Sequence, residues 1–222
     1  CLAKVTPNGI PVFSKTYTNV LGVNTYGLGL KQTSDGGYII TGVYSTSSSG
    51  DFVYLIKTDS LGIFQWAKTY RGPSTYDYGI DILLADDGGY FICDGFNNIG
   101  DVCIIKTDSV GLMQWAKSYD IESGSADGAH YLLTTTDKKI ITAGSTNGRY
   151  LLMKLDTNGN WFWSHKYYFT FSGQPTVVRQ TNDGGFAAVT AMSGGVSGSI
   201  HCFIKTDSLG DVAGACPDSS LP

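Results

Sequence analysis

Lys57-Thr58-Asp59-Ser60 returns three times along this chain, as Lys106-Thr107-Asp108-Ser109, Lys154-Leu155-Asp156-Thr157 and Lys205-Thr206-Asp207-Ser208, at intervals of 49, 48 and 51 residues. A fixed period in this range marks a propeller, a solenoid or an array. Outward from the second copy, short apolar runs alternate with turn residues. Ile80–Ala85 precedes Asp86-Asp87-Gly88-Gly89, Tyr90–Cys93 precedes Asn97-Asn98-Ile99-Gly100, Val102–Ile105 precedes Thr107–Gly111, and Leu112–Tyr119 closes the unit. Asp, Asn and Gly clusters between such runs predict tight hairpins, hence a four-stranded meander with strands A to D. Meanders repeated radially make the blades of a β-propeller, with A at the axis and D at the rim.

The other units align with this one. Asp35-Gly36-Gly37, Asp87-Gly88-Gly89 and Asp183-Gly184-Gly185 occupy the A–B turn, while the third unit has Asp137-Lys138-Lys139, which predicts a different or strained turn. Phe13, Trp66, Trp115 and Trp163 share one D-strand position, and Tyr17, Tyr70, Tyr119 and Tyr167 follow four residues later. Aromatics that recur in every unit read as packing between blades. The Lys–Asp turn reads as structural, its aspartate capping backbone N–H groups. Each turn offers too few oxygens for calcium.

Composition agrees with an all-β chain. Of 222 residues 29 are Gly and 14 Tyr, and Glu122 is the only glutamate among 19 acids. A net charge of −4 excludes nucleic acid as the main partner, and no apolar run is long enough to form a transmembrane helix. The chain begins at Cys1 rather than Met, which suggests a processed or partial chain.

The pattern Asp-Gly-Gly-Tyr-x-x-x-Gly … Ile-Lys-Thr-Asp-Ser-x-Gly-x-x-x-Trp covers nearly the whole chain. It resembles the tandem propeller repeats of secreted bacterial and archaeal surface proteins, and its layout is similar to the quinoprotein-type blade. The resemblance implies an extracellular or cell-surface propeller and no single activity.

The ends are out of phase. Cys1–Lys4 aligns with Tyr54–Lys57 and Val12–Tyr17 with Gln65–Tyr70, so residues 1–17 read as a C–D hairpin. Units follow at about 18–70, 71–119, 120–168 and 169–216, with a tail at 217–222. The last lacks a D-strand aromatic, with Gly214 in its place. The expected fold is one domain over 1–222, a four-bladed β-propeller with four antiparallel strands per blade, its ring closed by the N-terminal strand. The alternative is strand exchange between chains.

Cys93 and Cys103 flank the B–C turn of the second unit, and Cys202 and Cys216 have the spacing of a C–D pair, which makes both pairs disulfide candidates; the other reading is that Cys93, Cys103 and Cys202 are reduced core thiols. Cys1 is left over for an inter-subunit bond or a modification, lipidation included, although the repeat strand follows it without a tether.

No cofactor motif, zinc spacing or nucleophile elbow is present, and a single glutamate excludes a Glu-based hydrolase pair but not Asp pairs. The candidate ligand residues are the non-repeating A-strand charges Lys31, Asp81, His130 and Arg179, for a small anion or sugar. Others are the D–A loop aromatics Tyr76, Tyr78, Phe169 and Phe171 (with Tyr168), for a sugar or protein patch. For the four charges, mutual pairing is the competing reading. The expected function is a non-enzymatic extracellular scaffold that self-associates, as an oligomer, surface filament or matrix subunit. The alternative is a monomeric glycan- or protein-binding module.

Overall fold

A computed structural model describes residues 1–17, 24–46, 50–71, 77–94, 100–125, 127–168, 173–194 and 198–212. Its described residues contain strands, bends and turns only. The strands are β1 (Leu2–Val5), β2 (Pro11–Lys15), β3 (Asn24–Gln32), β4 (Tyr38–Thr46), β5 (Gly50–Thr58), β6 (Phe64–Tyr70), β7 (Gly79–Leu84), β8 (Tyr90–Asp94) and β9 (Val102–Thr107). They continue with β10 (Met113–Tyr119), β11 (Asp127–Thr134), β12 (Ile140–Thr146), β13 (Arg149–Leu155), β14 (Trp161–Tyr167), β15 (Gly173–Gln180), β16 (Phe186–Gly194) and β17 (Gly198–Thr206). Three four-stranded meanders are ordered β3-β4-β5-β6, β7-β8-β9-β10 and β11-β12-β13-β14. Beside them stand the hairpin β1-β2 and the three-stranded sheet β15-β16-β17. The chain divides into two compact units, Cys1–Asp94 with Ile105–Ala116, and Gly95–Ile104 with Lys117–Pro222.

Each turn is built from its own sequence. In the A–B turn of the first sheet, Asp35 Oδ1 accepts the Gly37 N–H at 2.9 Å, and Asp35 Oδ2 takes the Lys57 ammonium at 2.8 Å. Lys106–Asp87, Lys154–Asp137 and Lys205–Asp183 repeat the clamp at 2.7, 2.9 and 2.7 Å. The lysine of the repeated motif therefore reaches across to the A–B turn, while the motif's own aspartate caps its turn. Asp59 Oδ1 accepts from Leu61 and Ile63 N–H, and Asp108, Asp156 and Asp207 do the same in their sheets. At the glycine position of the A–B turn, Gly36, Gly88 and Gly184 have φ of 80°, 81° and 82°, and Lys138 has φ of 59°. The third turn keeps the geometry of its siblings and makes a lysine adopt it, at a steric cost.

Neighbouring sheets are joined by one repeated contact. The last tyrosine of a D strand donates its hydroxyl to the carbonyl of the glycine in the next sheet's C–D turn. The four pairs are Tyr17–Gly62 (2.8 Å), Tyr70–Gly111 (2.7 Å), Tyr119–Gly159 (2.8 Å) and Tyr167–Gly210 (2.5 Å). All four glycines have positive φ. A Cβ on Gly62 would lie 2.7 Å from Phe13, and one on Gly111 2.8 Å from Trp66. The D-strand aromatics also meet the next sheet's B strand, Phe13 on Tyr38, Trp66 on Tyr90 and Trp163 on Phe186, with ring centroids 6.0–6.3 Å apart. The inter-blade packing expected of these aromatics is therefore observed.

The N-terminal hairpin does not complete the last sheet. β2 pairs with β1 alone, and β15-β16-β17 has three strands among the described residues. Phe13 and Tyr17 are already committed to Tyr38 and Gly62. The hairpin thus packs on the sheet β3–β6 as a separate two-stranded sheet, and the expected closure of a four-bladed ring by the N-terminal strand is corrected.

The expected disulfides are also corrected. Cys93 and Cys103 are buried free thiols, and Cys202 is free; Cys216 lies outside the described residues. In the C–D hairpin a bulge at Lys57/Thr58 sets Tyr54 opposite Thr69 instead of Lys68, so the spacing of Cys202 and Cys216 is not that of a facing pair. Cys1 is exposed, its Sγ 3.3 Å from Ser14 Oγ.

Two substitutions test this account by thermal or denaturant unfolding. Tyr119→Phe should cost about 1 kcal/mol, the net worth of one buried hydrogen bond. Lys138→Gly should raise stability by about 1 kcal/mol by relieving the left-handed backbone. Equal stabilities for wild type and both variants would contradict the assigned contacts.

Candidate functional site

The charges singled out on the A strands make local contacts among the described residues. Lys31 on β3 and Asp81 on β7 form an ion pair at 3.8 Å. Arg179 on β15 hydrogen-bonds the Tyr131 hydroxyl, donates to Val178 O at 2.8 Å, and its guanidinium lies 5.1 Å from the Tyr131 ring centre. His130 on β11 is half-buried, with Nε2 3.5 Å from Ser145 Oγ, and burial pulls its pKa down to about 4. An imidazole held neutral offers an anion no charge. Tyr78 is half-buried and gives its N–H to Asp94. Tyr76, Phe169 and Phe171 lie outside the described residues.

A cleft of about 270 Å³ opens in the second unit, between the end of β14 and the last C–D turn. His165, Lys166, Tyr167 and Tyr168 form one wall, and Gly210, Asp211 and Val212 the other. The Tyr167–Gly210 hydrogen bond ties the two walls together. His165 Nδ1 stands 3.7 Å from Asp211 Oδ1, and its ring packs against Trp163 at 5.2 Å. Asp211 is placed by its own N–H, which donates to the capping Asp207 at 2.9 Å. On the first wall, Lys166 reaches Glu122 at 3.3 Å, and Glu122 also takes Arg149 at 2.8 Å. The hydrogen bond from Lys166, with the charge of Arg149, holds the Glu122 carboxyl below its usual range and keeps it ionised. Tyr168 is 59% exposed beside this cluster, with the Arg149 guanidinium 4.4 Å from its ring centre.

The cleft occupies a junction where the repeat changes. At the position of His165, two residues past the D-strand aromatic, the sibling sheets carry Lys15, Lys68 and Lys117. At the position of Asp211 they carry Ile63, Leu112 and Asn160, each likewise bonded to its capping aspartate. Only this junction pairs an imidazole with a carboxylate. That double departure was available in the sequence, but its two members lie 46 residues apart.

A second departure is the buried pair Asp77 and Asp94, 0% and 3% exposed. Asp94 stands opposite Gly79 in the register where Gly42 faces Gly27 and Gly144 faces Ala129. Burial and the neighbouring Asp77 carboxyl push its pKa up to about 8. With neither carboxyl exposed, this pair is closed to a substrate.

No protein-family model matches the chain, and no curated protein does. Solved structures do. A GH43 β-1,3-galactosidase solved with galactodeoxynojirimycin aligns over 96% of this chain and 78% of its own, with TM-score 0.56 and 10% identity. An endo-arabinase from Bacteroides thetaiotaomicron aligns over 84% and 78%, with TM-score 0.55 and 11% identity. A protein from Lactobacillus plantarum aligns over 95% and 65%, with TM-score 0.57 and 11% identity. At such identities the likeness establishes the fold alone, which is all-β and of the β-propeller kind.

This corrects the expectation of a non-enzymatic, self-associating scaffold, because the architecture is one on which glycan-processing enzymes are built. The single glutamate, Glu122, pairs with Lys166 of one cleft wall, and Asp211 lies on the other wall.

Titration of the His130 ring by NMR tests its assignment as a buried neutral group. Its midpoint should fall near pH 4, and stability should drop as pH falls from about 6.5 towards that value, because the unfolded imidazole takes up the proton first. A midpoint near 6.5 would restore it as a candidate anion ligand.

Proposed function

We propose that this chain acts on glycans, as a β-propeller of the glycoside hydrolase type whose saccharide docks in the cleft between His165–Tyr168 and Gly210–Val212. The observation that carries the reading is the junction itself. It holds an exposed aromatic ring and an imidazole–carboxylate pair in one cleft, with an ionised glutamate paired to the cleft's Lys166, at a position where sibling junctions carry lysines opposite Ile63, Leu112 and Asn160. A sugar ring presents an apolar C–H face, which an exposed Tyr168 suits, and hydroxyls, which carboxylates and ammonium groups bind.

Glycoside hydrolysis needs a proton donor for the leaving oxygen and a carboxylate to activate water or stabilise developing positive charge. Glu122, kept ionised by Lys166 and Arg149, suits the second task and not the first. Asp211, on the opposite wall, is the other carboxylate, and the adjacent His165 is the candidate proton donor. Lys166 and Tyr168 position the saccharide. The known activities of the structural neighbours nominate β-1,3-linked galactosides and arabinan as first substrates. An extracellular or cell-surface setting, expected from the repeat type, accords with a polymeric glycan as substrate.

The test is binding and hydrolysis of galactan- and arabinan-derived oligosaccharides. Tyr168→Ala should weaken binding at least about tenfold, the loss of one aromatic platform. Asp211→Asn should lower the hydrolytic rate by about 10²-fold or more while binding persists. A glycan panel without a ligand, or binding unchanged in Tyr168→Ala, would refute the reading.

A further inference from the structure

Glu122 is carried by the connection between β10 and β11, and a side chain on a loop keeps its place only where the loop backbone is tied. The tie is Asp127, the first residue of β11, which is buried. Asp127 Oδ2 accepts the Ile121 N–H at 2.9 Å and the Glu122 N–H at 3.4 Å. Its own N–H donates to Gly100 O at 2.8 Å, and the strand ladder sets Asp127 opposite Thr146 and Gly128 opposite Ser145. Within the connection the Ser125 N–H closes a turn on Glu122 O at 2.9 Å. A buried carboxyl fixed to a sheet thus gathers two N–H groups of the segment that bears Glu122.

The same end of the sheet delivers the glutamate's partner. Thr146, opposite Asp127, faces Arg149 across the two-residue turn Asn147-Gly148, which has positive φ at both positions, 46° and 74°. The Arg149 guanidinium meets Glu122 at 2.8 Å, and Lys166 of the cleft wall reaches it at 3.3 Å. These three side chains are 29–31% exposed, so water screens their ion pairs, which do little to order a free loop. The backbone cap supplies that order. The blade itself does not require the carboxyl. Six residues into the B strand, Tyr44 and Met192 stand opposite Thr25 and Gly173 in the first and fourth sheets, where Thr146 stands opposite Asp127. The matching residue 96 of the second sheet lies outside the described residues.

We propose that Asp127 is the positioning residue for Glu122. By capping Ile121 and Glu122 it holds the glutamate against Lys166 and Arg149 beside the cleft, and its consequence for catalysis rests on the glycan-hydrolase reading of that cleft. Asp127 acts through the backbone it ties and not by contact with a saccharide. Without the cap, Glu122 gains the freedom of its loop and leaves its two cations. Its carboxyl, held low by the hydrogen bond from Lys166 and the charge of Arg149, then returns towards its ordinary range.

Glu122 is the only glutamate in the chain, so isotopic labelling of glutamate gives a single carboxyl resonance whose NMR titration reads this position. In wild type the midpoint should lie below about 4.3, the value of an unperturbed glutamate, and Asp127→Ala should raise it to that value. Asp127→Asn keeps an oxygen for both N–H groups and should restore the low midpoint. On a galactan- or arabinan-derived oligosaccharide that the wild type hydrolyses, Asp127→Ala should lower kcat at least about tenfold while KM changes less than about twofold. It should also move the acid limb of the rate profile to higher pH, and Asp127→Asn should recover most of the rate. If Asp127→Ala does not fold, Asp127→Thr, with the residue of the first sheet, carries the same test. Equal Glu122 midpoints in wild type and Asp127→Ala, or an asparagine variant that behaves as the alanine one, would overturn the proposal. A wild-type chain that hydrolyses no oligosaccharide would overturn the glycan reading instead, and the titration alone then decides the role of Asp127.

Discussion

The hydrogen bond from a D-strand tyrosine to a turn-glycine carbonyl is the contact on which the rest of the structure depends. A four-stranded meander cannot bury both of its faces by itself and must be covered by its neighbours. The tyrosine sets that packing. Its hydroxyl is buried and must find an acceptor. The acceptor exists only because the C–D turn uses a glycine with positive φ, whose missing side chain leaves room for the aromatic two positions past the start of the neighbouring β strand, as for Phe13 at Gly62 and Trp66 at Gly111. The turn is in turn shaped by its aspartate cap and by the lysine clamp to the A–B turn. Cap, clamp, glycine and tyrosine form one chain of dependence, repeated around the sequence.

The cleft is a modification of that same device. Tyr167 and Gly210 make the standard junction contact, which brings the residues beside them, His165 and Asp211, to facing positions. In sibling junctions Lys68 lies along the glycine turn, and Lys117 donates to Asn158 O at 2.7 Å. Replacing lysine by histidine shortens the side chain, and replacing Ile63, Leu112 or Asn160 by aspartate supplies a carboxylate for it. The scaffold spends nothing on positioning these groups, because the junction does so already. Glu122, Arg149 and Lys166 then fix the charge on one side of Tyr168.

Much of the fold was legible because its determinants are local. The Asp-Gly-Gly turns, the Lys–Asp motif and the D-strand aromatics each act within a unit or on the next one, so a fixed period displays them. Lys138 showed itself as a strained position by standing where its siblings are glycine, and its φ of 59° agrees. Pairings that cross a bulge were not legible. The extra residue at Lys57/Thr58 shifts the C–D register by one, so Tyr54 faces Thr69 and not the Lys68 that spacing alone had matched. The N-terminal hairpin departs from expectation for a different reason. Its two strands pair with each other, and its Phe13 and Tyr17 are committed to Tyr38 and Gly62 of the next sheet. The site was half legible. Charges on the A strands drew attention because they do not repeat, and they resolve into Lys31–Asp81 and Arg179–Tyr131 contacts. Position-by-position comparison of the junctions exposes His165 with Asp211, and Asp94 with Gly42 and Gly144, but only once the registers that define equivalent positions are known.

The central claim is that the repeated junctions are structural and that the one departing from them receives the saccharide. A crystal structure of the chain soaked with β-1,3-galacto- or arabino-oligosaccharide tests it most directly. The account predicts a sugar ring stacked on Tyr168 with hydroxyls at His165, Lys166 and Asp211. Saccharide bound instead at the Lys31–Asp81 pair, or at a junction carrying Lys68 or Lys117, would contradict it.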